Sequence, residues 1–168
     1  MVISKEKLYI GGGEASSDRE RQTVVVYDPK QDSYDTLPPY AYQCFAVVIV
    51  NDRLVLVGGW DKQANSSTNK LGVWNEQSRC WTHSLPPMTT GCFAPSVTTH
   101  KNRWLVVMGG FGDGITHVLS RVEVLDTTES RQWYQAASLP QPCAQQSPPA
   151  IIGNVLFLGW LHPGTRSI

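Results

Sequence analysis

The chain is predicted to be an all-β protein assembled from tandem repeats. An aliphatic run that ends in two glycines occurs at 7–12, 53–59 and 103–110, and a weaker copy at 154–159 has Trp160 in place of the second glycine. The first glycines are Gly11, Gly58, Gly109 and Gly159, so the period is about 50 residues, which is typical of repeat architectures. No segment shows the sustained 3.6-residue periodicity of an amphipathic helix.

Further features follow each glycine pair in a fixed order. The next apolar run ends at Tyr27, Trp74 or Leu125, and an aromatic residue comes seven or eight positions later, at Tyr34, Trp81 or Trp133. A Leu-Pro pair then appears at 37–38, 85–86 and 139–140, followed by a cysteine that heads an apolar run, at Cys44, Cys92 and Cys143. The same ordered set occurs three times, which is hard to obtain by chance.

This order resembles the kelch repeat, and the resemblance extends from about Lys7 to Gly159. The most similar pattern is that of the propellers in BTB-kelch adaptor proteins. The resemblance implies a partial kelch-type β-propeller with about three four-stranded antiparallel blades and the first hairpin of a fourth. The implied blades span 1–38, 42–86, 91–139 and 143–159, within a repeat domain of 1–159 and before an irregular tail at 160–168.

Strands are expected near 7–11, 23–27 and 33–36 in blade one, with residues 1–6 as a strand remnant. Blade two has them near 44–50, 53–58, 71–75 and 80–84, and blade three near 92–98, 103–108, 120–125 and 132–137. Turn-forming pairs at 51–52, 101–102 and 153–154 separate apolar runs and predict hairpin tips. The unbroken apolar run 54–57 is typical of a strand buried on both faces, whereas the alternation at 122–124 indicates a more peripheral strand.

Ten residues are assigned structural roles in the repeat. Glycines leave the second strand where a Cβ would clash or where φ is positive, and aromatic side chains on the outer strands fill the gap to the next blade. The ten residues are Gly11, Gly12, Gly58, Gly59, Gly109, Gly110, Tyr27, Trp74, Trp81 and Trp133.

Composition narrows the classes of partner. Lys and Arg number 14, as do Asp and Glu, so the formal net charge of zero argues against a nucleic-acid partner. No run of about 18 apolar residues predicts a membrane span, and no secretory signal is expected. Three of the cysteines are repeat equivalents in neighbouring blades, too far apart for a disulfide. A reducing compartment follows, and the predicted location is cytoplasmic.

The glycine-rich segment 110–114 and the four histidines are the candidates for a catalytic role. The segment follows a strand without leading into a helix, so it does not predict a phosphate-binding loop. His83, His100, His117 and His162 occupy unrelated repeat positions. We therefore expect no metal, no cofactor and no enzymatic activity. The alternative is a fragment of a carbohydrate-active kelch enzyme, resembling the sugar oxidases or the mutarotases of that fold.

Binding of another protein or peptide is the preferred function. In a propeller, the loops between second and third strands and between blades meet at one end, and Tyr and Trp beside polar groups suit the centre of an interface. The candidate contact residues are Tyr40, Tyr42, Gln43, Trp60, Asp61, Phe111, Asp113, Gln145 and Gln146. No arginine neighbours the three repeat cysteines, so a strongly acidic ligand is not expected there. The resemblance adds substrate recognition for a ubiquitin-ligase adaptor.

The predicted strands number three, four, four and two along the chain, which make about three blades and a hairpin. Propellers close with about four to eight blades, so this chain has too few to close a ring. Two explanations remain open. The chain is a fragment of a six-bladed kelch domain, or two copies join as a homodimer that completes a six-bladed ring. A lone copy would expose more apolar surface than soluble monomers usually tolerate.

Overall fold

The computed structural model describes residues 1–11, 22–144, 149–152 and 155–157. Its regular structure there consists of strands alone. Blade one is a four-stranded antiparallel sheet of β1 to β4, in chain order. The strands are β1 Val2–Ser4, β2 Lys7–Gly11, β3 Val24–Asp28 and β4 Ser33–Thr36.

Blade two has the spatial order β5-β6-β9-β10, and a small separate hairpin, β7–β8, lies in the loop between its second and third strands. The strands are β5 Ala46–Val50, β6 Arg53–Val57, β7 Trp60–Asp61, β8 Ser66–Ser67, β9 Leu71–Asn75 and β10 Cys80–Thr82.

Blade three repeats the order β11-β12-β13-β14, and a two-stranded sheet, β15–β16, follows it. The strands are β11 Ser96–His100, β12 Trp104–Met108, β13 Val122–Asp126, β14 Trp133–Gln135, β15 Ala150–Ile152 and β16 Val155–Phe157. The predicted all-β partial propeller, with three four-stranded blades and a further hairpin, is confirmed.

Two strand predictions differ from the structure. Residues 1–6 are not a remnant, because β1 pairs with β2 and gives blade one four strands rather than three. The inner strands of blades two and three begin at Ala46 and Ser96, not at their cysteines. The reason is local, since Cys44 and Ala94 have φ values of 53° and 48°, which no β-strand accommodates.

The hairpin tips between first and second strands are confirmed where they are described. Asn51 and Asp52 have φ values of 50° and 54°, and Lys101 and Asn102 have 51° and 50°. Paired left-handed residues of this kind form the turn whose twist matches that of the flanking strands. The predicted tip at 153–154, like Gly12 and Gly159, lies outside the described residues.

Alternate side chains of β6 pack into two different hydrophobic clusters. Leu54 and Leu56 of β6 belong to a buried cluster shared with blade one. Val55 and Val57 belong to a second buried cluster shared with Leu105 and its neighbours in blade three. The strand is therefore buried on both faces, as its unbroken apolar run predicts.

The glycine pair forms the joint between successive blades. Gly58 has φ +64°, and a Cβ added there would lie less than 3.0 Å from the carbonyl oxygen of Cys92 in the next blade. The following Gly59 donates its N–H to that same oxygen at 2.9 Å. Gly109 and Gly110 repeat this arrangement with the carbonyl of Cys143. Close approach of the blades thus requires residues without side chains at these positions.

The outer-strand tryptophans also join neighbouring blades. Trp81 Nε1 donates to the Pro38 carbonyl at 2.7 Å, and Trp133 Nε1 donates to the Pro86 carbonyl at 3.0 Å. Each acceptor belongs to the Leu-Pro element of the preceding repeat. Trp74, by contrast, is buried, while Tyr27 is half-buried and packs against Tyr34.

The prediction that 122–124 alternates because its strand is peripheral is wrong. Glu123 is only 3% exposed. Its carboxylate forms an ion pair with Arg121 at 3.1 Å and accepts a hydrogen bond from Thr89, which lies in the segment between blades two and three. Glu123 is thus buried with polar partners, as a buried carboxylate requires.

The repeat cysteines are small residues packed at the blade joints. Cys92 and Cys143 are buried, Cys44 is half-buried, and none of the four described cysteines forms a disulfide. Burial raises the pKa of Cys92 to about 12, so its thiol is protonated at neutral pH.

The third strand of each blade ends in a side chain that organises the following turn. Asp28, Asn75 and Asp126 each accept backbone N–H hydrogen bonds from residues two and three positions later. Asp126 is 2% exposed and binds Arg103 through two hydrogen bonds, of 3.0 and 2.6 Å. Hydrogen bonding to Arg103 is the largest cause that lowers the pKa of Asp126 below its ordinary value.

The Arg103–Asp126 ion pair predicts that the folded state loses stability in acid. Because the folded-state pKa of Asp126 lies below its unfolded value of about 3.9, the stabilisation is complete at neutral pH and is lost as pH falls below about 4. Asp126→Asn should lower the melting temperature at pH 7 and flatten its pH dependence between about pH 4 and 2. Asp28→Asn is the control, and a smaller change is expected because its ion pair with Lys7 is more exposed. Equal changes in the two variants would contradict this account.

Candidate functional site

The candidate site lies at the end of the blades where the loops between second and third strands emerge. In an antiparallel four-stranded blade, these loops and the connections between blades share one end, and the tight hairpin turns occupy the other. The described loops at this end are those of blades two and three, at 58–70 and 109–121. The corresponding loop of blade one includes 12–21, which lies outside the described residues.

The blade-two loop is a well-ordered small hairpin. Trp60 pairs with Ser67 and Asp61 with Ser66 across β7–β8. Asp61 Oδ1 accepts hydrogen bonds from the N–H groups of Gln63 and Ala64, at 2.9 and 3.0 Å, which fixes the turn. The side chains of Trp60 and Asp61 are both half-buried.

The blade-three loop is attached to its own blade at Phe111. Phe111 and Phe93 exchange two backbone hydrogen bonds, at 2.9 and 2.8 Å. The N–H of Gly112 donates to the carbonyl of His117 at 2.8 Å, which closes the loop above this point. Ile115 at the tip is 76% exposed. An isoleucine with so little contact to its own protein is available to a partner.

An aromatic row connects the two loops. The ring centroids of Trp60 and Phe93 are 5.1 Å apart, and those of Phe93 and Phe111 are 5.0 Å apart. Beside this row, Asp113 accepts hydrogen bonds from the N–H and the hydroxyl of Ser67, at 3.0 and 2.9 Å. These bonds lower the pKa of the Asp113 carboxyl. The loops of two blades therefore form one continuous surface over the Phe93 ring, which is itself buried. We call this surface the loop face (Trp60, Asp61, Ser67, Phe111, Asp113, Ile115).

Three predicted contact residues are buried between blades one and two. Tyr40, Tyr42 and Gln43 are 2%, 7% and 7% exposed, respectively. The Tyr40 ring packs edge-on against those of Tyr42, Phe45 and Trp81, and burial raises the pKa of Tyr40 above its ordinary value. Gln43 instead contributes its backbone, which pairs with that of Trp60. In this structure the three side chains pack the blades together.

The remaining predicted residues divide into two groups. Trp60, Asp61, Phe111 and Asp113 are brought together on the loop face. Gln145 and Gln146 lie outside the described residues. Sequence reasoning missed Phe93, Ser67 and Ile115. Phe93 could have been found from its place after the repeat cysteine, where Phe45 stands in the preceding blade. Ile115 has no equivalent position in the other repeats, because the loops between second and third strands differ in length.

The described residues offer little for catalysis. Within them, no three His, Cys, Asp or Glu side chains converge as metal ligands. His83 Nδ1 lies 2.7 Å from the carbonyl of Leu71, so this ring is engaged with the backbone of its own blade. In the same described part of the chain, no helix is long and apolar enough to cross a membrane.

Comparison with known proteins identifies the repeat. Residues 41–89, which contain blade two, match the family model described as Kelch motif. The human Kelch repeat and BTB domain-containing protein 12 is 24% identical over 182 residues, covering 95% of this chain and 29% of the relative. Kelch-like protein 26 of Danio rerio is 25% identical over 143 residues, covering 83% of this chain and 23% of the relative.

A viral relative extends the comparison. The Kelch repeat and BTB domain-containing protein 1 of vaccinia virus is 18% identical over 153 residues, covering 89% of this chain and 26% of the relative. This chain therefore spans about a quarter of the length of the curated relatives it matches. The blades and their joints define a kelch-type propeller segment, and the kelch-repeat prediction is confirmed.

Proposed function

We propose that the chain is a non-enzymatic protein-interaction module that binds a partner protein or peptide through its loop face. The observation that carries this proposal is the joining of two blade loops into one surface by the Trp60–Phe93–Phe111 row and the Asp113–Ser67 hydrogen bonds. Loops held rigid before binding lose less conformational freedom when a partner docks. Half-buried aromatic rings with an exposed aliphatic tip supply the anchors that interfaces favour.

The finer proposal is that this module recognises substrates for a ubiquitin-ligase adaptor in the cytoplasm. It is supported by the names of the relatives, two of which combine kelch repeats with a BTB domain. The blade boundaries 1–38, 42–86, 91–139 and 143–159 are retained as part of the proposal. No specific observation in the described residues favours the carbohydrate-active alternative.

Ile115→Asp is the sharpest test of the loop face. The side chain makes little contact with its own protein, so the variant should fold normally but place a charge in the centre of the interface. Proteins captured from a cell extract by the wild-type chain would be identified, purified and titrated against both chains by calorimetry. The expected result is at least about tenfold weaker binding, or 1.4 kcal/mol.

The matched control is Tyr134→Ser on β14, the outer strand of blade three, which removes a side chain that is 47% exposed and does not belong to the loop face. This variant should bind with unchanged affinity. Unchanged binding of Ile115→Asp, or equal losses in the two variants, would contradict the proposed use of the loop face.

The outward face of blade one is proposed to be covered by another blade. Ile3, Ile10 and Tyr34 on three of its strands are 67%, 40% and 71% exposed, although the other face of the same blade is buried. The covering blade comes either from a longer chain or from a second copy that completes a six-bladed ring.

This exposure predicts self-association of the isolated chain. Light scattering should report a dimer or larger species, because apolar surface left open in a monomer is unfavourable. Ile3→Asp should shift the distribution towards monomer. A sharp monomer mass for the unmodified chain, together with cooperative melting, would count against this arrangement.

A further inference from the structure

A cleft of about 230 Å³ lies between blades one and two at the hairpin-turn end, opposite the loop face. Its walls come from both blades and combine charged and apolar residues. They include Tyr9 of blade one and Ile49, Leu54 and Trp74 of blade two. Arg53 lines the cleft beside these residues. This site is separate from the proposed partner-binding surface and uses none of its residues.

Arg53 occupies a position that carries an ion pair in the other two blades. In each blade a basic residue directly follows the left-handed hairpin turn. In blade one this residue is Lys7, which pairs with Asp28 at 3.1 Å, and in blade three it is Arg103, which pairs with Asp126 at 2.6 Å. Both carboxylates stand at the end of the third strand, so the pairing is a repeated feature of the fold.

Blade two has the basic residue, Arg53, but no carboxylate at the end of its third strand. Asn75 stands at the end of its third strand, in register with Arg53, since Val55 pairs with Val73 two positions further in. The Asn75 side-chain oxygen already accepts hydrogen bonds from the N–H groups of Gln77 and Ser78, at 2.9 and 3.0 Å. An amide also carries no charge to offset a guanidinium. Asn75 therefore does not replace the missing counter-ion.

Among the described residues, no hydrogen-bond acceptor reaches the buried Nε of Arg53. Burial, with a smaller contribution from Arg131, lowers the pKa of Arg53 from its ordinary value. The other charged groups lining the cleft are Lys5, Asp52 and Glu76. Asp52 is engaged by Asn102 Nδ2 at 2.8 Å, and no ion pair joins Glu76 to Arg53 in the described part of the chain.

We propose that this cleft binds a carboxylate presented by a partner protein, with Arg53 as the counter-ion and Lys5 at the rim. The repeat indicates the chemical class of the ligand, because a carboxylate pairs with the equivalent basic residue in blades one and three. Arginine favours carboxylate through its planar, forked set of donors. The apolar part of the cleft suits an acidic residue followed by an aliphatic one, whose side chain can pack against Ile49 and Leu54.

The experiment follows the Arg53 Nε–H resonance of the full chain, labelled with ¹⁵N, during titration with a capped Ser-Asp-Leu-Ser peptide. The peptide should shift this resonance saturably, and its Asn counterpart should bind at least about tenfold more weakly. Arg53→Gln should abolish peptide binding. Asn75→Asp supplies an internal carboxylate, so it should weaken peptide binding about tenfold while raising the melting temperature.

Three results would overturn the proposal. The first is equal binding of the Asp and Asn peptides, and the second is inorganic phosphate binding as tightly as the Asp peptide. The third is a Glu76→Gln variant whose Arg53 Nε–H resonance shifts without peptide, because Glu76 would then be the counter-ion in solution. The Asn75→Asp variant keeps the test valid even where Arg53→Gln fails to fold.

Discussion

Gly58→Ala should lower the free energy of unfolding by about 4 kcal/mol, a large effect for the addition of one methyl group. Two costs combine. Alanine at φ +64° is strained, and its Cβ would lie less than 3.0 Å from the Cys92 carbonyl oxygen. That oxygen also accepts the Gly59 N–H at 2.9 Å, so the backbone cannot move away without breaking the joint. Denaturant unfolding of both chains measures the difference.

Gly114→Ala separates the two costs. Gly114 has φ +102°, but a Cβ added there would have nothing within 4 Å. This variant should therefore lose only about 1 kcal/mol, the cost of left-handed backbone for alanine. If Gly58→Ala were no more destabilising than Gly114→Ala, the close approach of the blades at the glycine joint would be refuted.

Leu105→Ala should destabilise the chain by about 3 kcal/mol, because it leaves a cavity in the cluster between blades two and three. Leu105 is 0% exposed and packs among residues of both sheets. The matched control is Ile115→Ala on the exposed loop tip, for which a change within about 0.5 kcal/mol is expected. A loss below about 1 kcal/mol for Leu105→Ala would indicate that the two blades do not share a core.

Repeated features explain how far the fold was predictable. The glycine pairs, the outer-strand tryptophans and the hairpin turns at 51–52 and 101–102 all recur at the same repeat position, and each has the predicted place in the structure. Their physical requirements are local: a positive φ, a missing Cβ or an indole N–H near a carbonyl. A repeat period makes such requirements visible in a single sequence.

Features specific to one blade were harder to predict. The burial of Glu123 depends on Arg121 and Thr89, and that of Tyr40 depends on three rings of blade two. Thr89 and Trp81 are distant in sequence from the residues they contact, so alternation and residue type alone indicate exposure. Tyrosines in a connecting segment suggest a binding surface, yet here they fill the gap between sheets.

The loop face was predictable only in outline. The topology places the loops at one end, and aromatic residues after the glycine pairs indicate the row that Trp60 and Phe111 form with Phe93. The Asp113–Ser67 hydrogen bonds and the exposed tip at Ile115 depend on loop geometry that varies between blades. The same variation between blades leaves Arg53 without the carboxylate found beside Lys7 and Arg103.

Amide hydrogen exchange at Gly59 and Gly110 tests the central claim most directly, namely that successive blades are joined through their glycine pairs. These N–H groups donate across the blade boundary to Cys92 and Cys143, at 2.9 and 2.8 Å. Both amides should be protected as strongly as those of the neighbouring strand residues Val57 and Met108, because opening them requires separation of the blades. Rapid exchange at Gly59 and Gly110 beside protected strands would contradict the account.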